Sequence, residues 1–385
     1  MATSSRPVVA KSTTLGTPVD QLDTPAILVD LDRLAMNIET WQAAMNRIGV
    51  KFRPHIKTHK IPDIAQLQLA AGAVGIASAK VSEAEPFATA GIRDICLAYP
   101  IIGEQKWRNV AALARGGARM TVNADSEVGV HGLAEAATAA GTTINVQIDI
   151  DTGMHRGGVP VTDVDRVERL ARVIMGLPGV SFDGITTHRG IFFEGVTTPE
   201  EAGIEEGRLL VHLADQLRAR GVHVREVTAG GTFTARWAGS VPGVTEVRAG
   251  TYVFYDLMHV AAGTVSEDRL ALSVLCSVVS QPSRGHITID GGSKTFSGDR
   301  GVIGGPAGGS QAVARGVGRA IAVERLTEEH GMARLEPGES VAVGDKVRFY
   351  PFHACTCVNL SDELVGVRNG RVEQVWSVAA RGQRT

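Results

Sequence analysis

Between about residues 51 and 250 the chain repeats one alternation: a short apolar run, then a stretch with helical periodicity. The apolar runs fall at 51–56, 74–78, 94–98, 118–122, 143–149, 180–187, 224–228 and 244–247, with helix-like stretches at 60–71, 81–90, 104–115, 125–140, 163–176 and 200–220 between most of them. Strands that alternate with helices pair in parallel, because each helix carries the chain back to the start of the next strand. Eight such strands in about 200 residues predict an α/β fold of the closed (β/α)8 barrel type rather than an open doubly wound sheet. Helix start signals agree: Ser82 stands ahead of Glu85, and Thr198-Pro199-Glu200-Glu201 opens a long helix.

The character changes after about residue 255. Strand-like runs at 271–280, 286–290, 317–323, 346–350, 364–368 and 371–378 follow with little helical periodicity, which predicts a compact antiparallel β unit. Gly301–Gly318 reads as a glycine-rich loop without a strand core. One more run, Pro25–Asp30, precedes the eight, followed by a helix over 31–48 with Asp30 or Asp32 as its N-cap. That first strand is free to pair with the C-terminal unit. The expected division is an arm over 1–22, loosely held to about residue 20, then a barrel unit over 23–255 and a β unit over 256–385.

A chain of 385 residues buries a full core without staples. Its net charge of −2 and charged content of 21% offer nothing to nucleic acid or a membrane surface, and no run approaches 18 apolar residues. The four cysteines, Cys96, Cys276, Cys355 and Cys357, make no disulfide framework. With no signal peptide at the start, they indicate a cytoplasmic protein.

The chemistry begins at Arg53-Pro54-His55-Ile56-Lys57-Thr58-His59-Lys60, which sets a lysine just past the first barrel strand among other cationic groups. An amine crowded by positive charge and partly desolvated attacks carbonyls, as Schiff-base lysines do. Lys57 is the candidate, and a basic surface loop is the plain alternative. Active sites of such barrels gather at the C-terminal strand ends, where Lys57 falls.

Ala229-Gly230-Gly231-Thr232 and Arg248-Ala249-Gly250-Thr251-Tyr252 follow strands seven and eight, where glycine amides and threonine hydroxyls can cradle a phosphate. After strand five comes Asp149–Val159, in which Arg156 could hold a ring oxygen or a carboxylate, or simply pair with Asp149 or Asp151. After strand six, His188 could stack on a flat ring, relay protons, or be satisfied by nearby backbone. Far downstream, in Pro351–Cys357, His353 and Cys355 stand two apart. On a strand that spacing puts both on one face as two ligands for one ion, and Cys357 lies on the same face. A buried cysteine beside a capping histidine gives the same spacing. Thiolate with imidazole favours zinc, whereas manganese prefers oxygen donors.

Together with Lys80–Glu85, these segments resemble the D-threonine aldolase and D-serine dehydratase group, fold-type III enzymes related to alanine racemase. The likeness runs from about residue 23 to about 382. It implies a homodimer, pyridoxal 5'-phosphate on a lysine, and a divalent metal, zinc or manganese, beside the cofactor. Lys57 resembles the cofactor lysine, Arg156 the arginine near the ring hydroxyl, and His188 a ring-contacting residue. Gly230, Gly231, Thr232, Gly250 and Thr251 resemble the phosphate cup, with Tyr252 beside it, and His353 with Cys355 the metal pair.

The substrate class implied is a D-β-hydroxy amino acid, and two outcomes diverge. Removal of the hydroxyl proton, with His59 as candidate base, would cleave Cα–Cβ to glycine and an aldehyde. Removal of the α-proton by Lys57 would expel hydroxide and give a keto acid and ammonia. The runs around Lys57 and Arg156 look closest to the aldolase type, whereas a cysteine at 355 is the form familiar from the dehydratases. A racemase or a non-catalytic pyridoxal-phosphate carrier stand as further alternatives.

Overall fold

The computed structural model describes residues 13–190, 198–303 and 310–385. Residues 1–12 of the expected arm and the middle of the glycine-rich segment therefore lie outside the described residues. The chain enters through β1 (Ala26–Asp30) and an 18-residue helix, Leu31–Ile48. Asp30 is the N-cap, its carboxylate accepting the N–H groups of Asp32 and Arg33, an arrangement typically worth about 1 kcal/mol.

The parallel sheet comprises β2 (Lys51–Pro54), β3 (Ile76–Ser78), β4 (Asp94–Leu97), β5 (Arg119–Ala124), β6 (Ile144–Asp151) with the short β7 (Val159–Pro160) at its side, β8 (Val180–Thr187), β9 (Glu226–Ala229) and β10 (Glu246–Ala249). Its order is β2-β10-β9-β8-β6-β5-β4-β3. The two ends meet through a parallel bridge between His55 and Ala77 and a bond from Val74 N–H to Phe52 O. The result is a nearly closed eight-stranded barrel, the expected fold. Helices cover its outside, burying residues such as Leu133, Leu170, Leu213 and Leu217 against the strands.

The C-terminal sheet consists of β11 (Leu272–Ser283), β12 (His286–Ile289), β15 (Ala314–Gly316), β16 (Ile321–Leu326), β17 (Gly331–Leu335) and β18 (Lys346–Pro351), paired antiparallel, and the antiparallel hairpin β19 (Glu363–Arg368) with β20 (Arg371–Ser377). A separate hairpin pairs β13 (Gly301–Ile303) with β14 (Ser310–Ala312). Because β11 also pairs with β12, the strands β12-β17-β16-β15-β18-β11 close on themselves. β1 joins this sheet, antiparallel to β11 and parallel to β19.

Three local readings need correction. The glycine-rich segment carries β13, β14 and β15, whose three-residue lengths are too short to show a period. Ser82 sits inside the helix Val81–Thr89, capped at Lys80, and binds the Thr385 carbonyl instead. Residues 13–22 are held: Gly16 and Val19 donate to Val372 and Gly370, and Leu22 is buried.

Candidate active site

Loops at the C-terminal rim of the barrel, with residues of the β unit above them, close on a cavity of about 320 Å³. Lys57 lines it. It follows β2 in a single 3-10 turn, Ile56–Thr58, in which His55 Nδ1 accepts the Lys57 N–H at 3.2 Å. Ile56 and Thr58 are buried on either side, leaving Lys57 as the exposed residue of the turn.

The other cations of that octapeptide are spent elsewhere. Arg53 points toward the strand starts, 3.1 Å from both Glu246 oxygens and 2.6 Å from Asp94. Lys60 pairs with Glu83 at 3.4 Å and donates to Asn359 at 2.7 Å. His59 is fully buried, its Nδ1 accepting the Ile61 N–H at 3.1 Å and its ring edge-on to Phe87. Burial pushes its pKa down to about 3. His59 does not line the cavity, so the structure does not place it as the base. The positive charge around Lys57 comes instead from Arg156 and Arg248 at other strand ends. Burial, then the charges of Lys57 and Arg156, push His188 down to about 3. Burial and the same cations, with Lys57 and Arg248 foremost, keep His55 well below its ordinary range.

Gly230, Gly231, Thr232, Gly250 and Thr251 line one corner of the cavity. A β-carbon on Gly231 would lie 2.6 Å from the His188 ring, and one on Gly250 would lie 2.9 Å from His55 O and Thr58 Oγ1. Gly230 adopts φ +89°, where a side chain is strained. Its N–H is taken by Glu206, a fully buried carboxylate that also accepts from Arg189 N–H and Thr234 Oγ1. The Gly250 N–H goes to Thr232 Oγ1 at 3.2 Å and that of Gly231 to Thr234 Oγ1 at 3.2 Å. Tyr252 is the exception: it packs into the core against Trp41 and Phe52, with its hydroxyl accepting from Gln68, and takes no part in the cup.

Across the cavity stand His353 and Cys355. They lie not on a strand but at the start of the helix Ala354–Asn359, with His353 as N-cap. The helical turn leaves both at the cavity and sends Cys357 into the core, fully buried, so Cys357 is no partner to the pair. Cys355 Sγ is 3.2 Å from Thr58 Oγ1, beside the lysine turn. Burial would raise its thiol, but the hydrogen bond and charge of His353 lower it below the ordinary range. Burial opposes charge on His353, yet Cys355, Asp256 and Asp299 together raise it to about 9.

Several cavity residues carried no assignment from the sequence. Asp149 is raised to about 6 by burial, against the pull of Arg248 and Arg156. Asp256 and His259 are both buried, with Nδ1 of His259 2.7 Å from Asp256 Oδ1 and its ring stacked on Phe233 at 4.1 Å. Among the described residues His259 Nε2 is buried without a partner. An aspartate at an N-cap with a histidine three positions on was the available signal.

The donors present fit the implied groups. The glycine corner has room where side chains would fill it, and Lys57 shares its cavity. Imidazole and thiolate suit a zinc-like ion, while no cluster of three or more such donors occurs among the described residues. Among these residues no helix is long and apolar enough to cross a membrane.

The alanine racemase N-terminal domain pattern matches residues 29–257. The chain belongs to that family. This fold-type III pyridoxal-phosphate family member also matches a putative serine dehydratase domain over residues 271–367. It is similar to D-threonine aldolase from Arthrobacter sp., 34% identical over 95% of each chain. It is similar also to D-threo-3-hydroxyaspartate dehydratase from Delftia sp. (strain HT23), 36% identical over 87% of this chain and 91% of that one. The crystal structure of D-threonine aldolase from Filomicrobium marinum superposes with a TM-score of 0.85 at 31% identity, over 96% of this chain and 99% of that one. The family member is thus an enzyme of the lyase class.

Proposed function

We propose that this lyase is a pyridoxal 5'-phosphate- and divalent-metal-dependent aldolase of the D-threonine type, cleaving D-β-hydroxy-α-amino acids to glycine and an aldehyde. One observation carries the reading: Lys57, the glycine corner and the His353–Cys355 pair face a single cavity. In this assignment Lys57 holds the cofactor covalently. Gly230, Gly231, Thr232, Gly250 and Thr251 receive its phosphate, Arg156 and His188 flank its ring, and His353 with Cys355 holds the metal. When bound, the cofactor supplies an electron sink for the charge left at Cα, and the metal a positive charge toward the β-hydroxyl.

The chain itself must take the hydroxyl proton. His55 is a poor acceptor: its Nδ1 already accepts the Lys57 N–H, so in the neutral ring Nε2 carries the hydrogen. His259 is placed the other way: a carboxylate oxygen of Asp256 lies 2.7 Å from its Nδ1, which in the neutral ring puts the hydrogen on Nδ1, and Nε2 has no partner among the described residues. We assign the proton to His259 Nε2 as Cα–Cβ breaks.

The dehydratase is the second reading, favoured by the thiolate at 355. There Lys57 removes the Cα proton and hydroxide leaves from Cβ. Incubation with D-threonine separates the two: glycine with acetaldehyde supports the aldolase, whereas 2-oxobutyrate with ammonia replaces it. Borohydride reduction of the holoprotein should tag Lys57, and a tag elsewhere would remove the basis of both readings. The homodimer implied by the family is checked by sedimentation of the holoprotein.

A further inference from the structure

We infer that Asp299 is a positioning residue for the metal site, acting through His353; this rests on the metal assignment above. Asp299 Oδ2 lies 2.7 Å from His353 Nδ1. A carboxylate on Nδ1 fixes the tautomer and leaves Nε2 as a lone pair for an ion, the arrangement that outer carboxylates impose on ligating histidines. The same Oδ2 accepts from Thr356 Oγ1 at 2.9 Å, and Thr356 Oγ1 lies 3.0 Å from Ser297 Oγ, which accepts the Asp299 N–H at 3.2 Å. Carboxylate, imidazole and two hydroxyls thus form one connected network.

The backbone is bent to build it. Ser297 sits at φ +67°, a left-handed conformation rare for a residue with a side chain, and local strain of this kind collects at functional sites. Two residues past Asp299, a β-carbon on Gly301 would meet the Phe352 ring at 2.2 Å. Only a glycine lets this segment lie against the residue preceding His353. From the other side Asp256 Oδ2 accepts the Ala354 N–H at 3.0 Å. The turn bearing both metal donors is therefore clamped by two carboxylates, of which Asp299 alone touches a donor ring.

Stability does not account for the pair. The side chains of His353 and Asp299 are 28% and 44% exposed, and ion pairs so open to solvent contribute little to folding. Orientation of the ligand is what remains.

The test titrates the cofactor-loaded, metal-stripped protein with zinc against a competing chelating dye, for the wild type, Asp299→Ala and Asp299→Asn. Asp299→Ala should bind zinc about 10–100-fold more weakly. Asp299→Asn keeps an acceptor for Nδ1–H and should recover part of the loss. Cofactor absorbance and thermal midpoint should stay at wild-type values in both. Zinc affinity unchanged in Asp299→Ala overturns the inference. Should the wild type take up no zinc, the metal assignment itself fails, and this inference with it. Should Asp299→Ala not fold, Asp299→Asn and Thr356→Val supply the comparison: at least a severalfold loss is expected in each, and wild-type affinity in both overturns the proposal.

Discussion

A β-carbon on Gly231 would stand 2.6 Å from Cε1 and 3.0 Å from Nδ1 of His188. Real carbon contacts do not come so close, so the glycine is what lets the loop after β9 and the histidine after β8 occupy one corner. Gly231→Ala must push out the imidazole or lift the loop, and both changes damage the corner assigned to the phosphate. The expected result is a folded protein that binds pyridoxal 5'-phosphate at least 10-fold more weakly, an effect of about 1.4 kcal/mol. Absorbance titration of the cofactor-free protein measures it, and unchanged affinity would remove this corner from the cup.

His259 Nδ1 lies 2.7 Å from Asp256 Oδ1, and among the described residues its Nε2 has no partner, which leaves Nε2 facing the cavity chemistry as the ring's acceptor. If it takes the hydroxyl proton, His259→Asn should lower kcat for D-threonine cleavage by roughly 10²–10⁴-fold, the range typical of a positioned acid or base. The cofactor spectrum should survive, since His259 is not assigned to the cofactor. Asp256→Asn should lower kcat as well, because an amide no longer fixes the ring's orientation and tautomer as the carboxylate on Nδ1 does. Loss of cofactor absorbance together with activity in His259→Asn would mark the residue as packing for Phe233 rather than as the base.

Much of this was legible in the sequence because it repeats. Period carried the barrel: eight apolar runs with helical intervals admit few other folds, and position at strand ends then selected Lys57, His188 and the two glycine segments. Where period fails, so does the reading. The two-residue spacing of His353 and Cys355 reads as one face of a strand, yet the chain turns into a helix after β18 and sends Cys357 inward. His59 and Arg53 share a basic octapeptide with Lys57, but one faces the core and the other the strand starts, which composition does not reveal. Glu206 was recoverable. It falls in the stripe Ala202, Gly203, Glu206, Gly207, Leu210 that the helix buries, and a carboxylate in such a stripe must have partners.

At the opposite end of the barrel, Arg53 stands between Glu246 and Asp94, with Arg53 and Glu246 side chains only 7% and 4% exposed. The carboxylates hold the guanidinium charged against the cost of burial. Glu246→Ala leaves that charge short of a partner, and breaking a buried pair in this way typically costs about 3–5 kcal/mol. Chemical denaturation should show the loss, while kcat of the folded fraction stays near wild type because these residues do not line the catalytic cavity. A kcat that fell with stability unchanged would give the barrel floor a role in catalysis.

The buried His59 makes stability depend on pH in a calculable direction. Folded, burial holds its pKa at about 3, against 6.5 when exposed. A depressed folded pKa contributes stability that is present above the unfolded value and lost as pH falls toward the folded one. Between about pH 6.5 and 3, therefore, unfolding takes up a proton at this ring, and its share of the unfolding free energy declines by about 1.4 kcal/mol per pH unit. His55 and His188 add slopes of the same sign, so the wild-type curve alone does not isolate His59. Comparison with His59→Gln does: the variant should be less stable at pH 7.5, and the gap should narrow steadily as the pH is lowered to 4. Urea unfolding across that range measures both curves, and a gap constant with pH would mean that His59 stays neutral in the unfolded chain or protonates in the folded one.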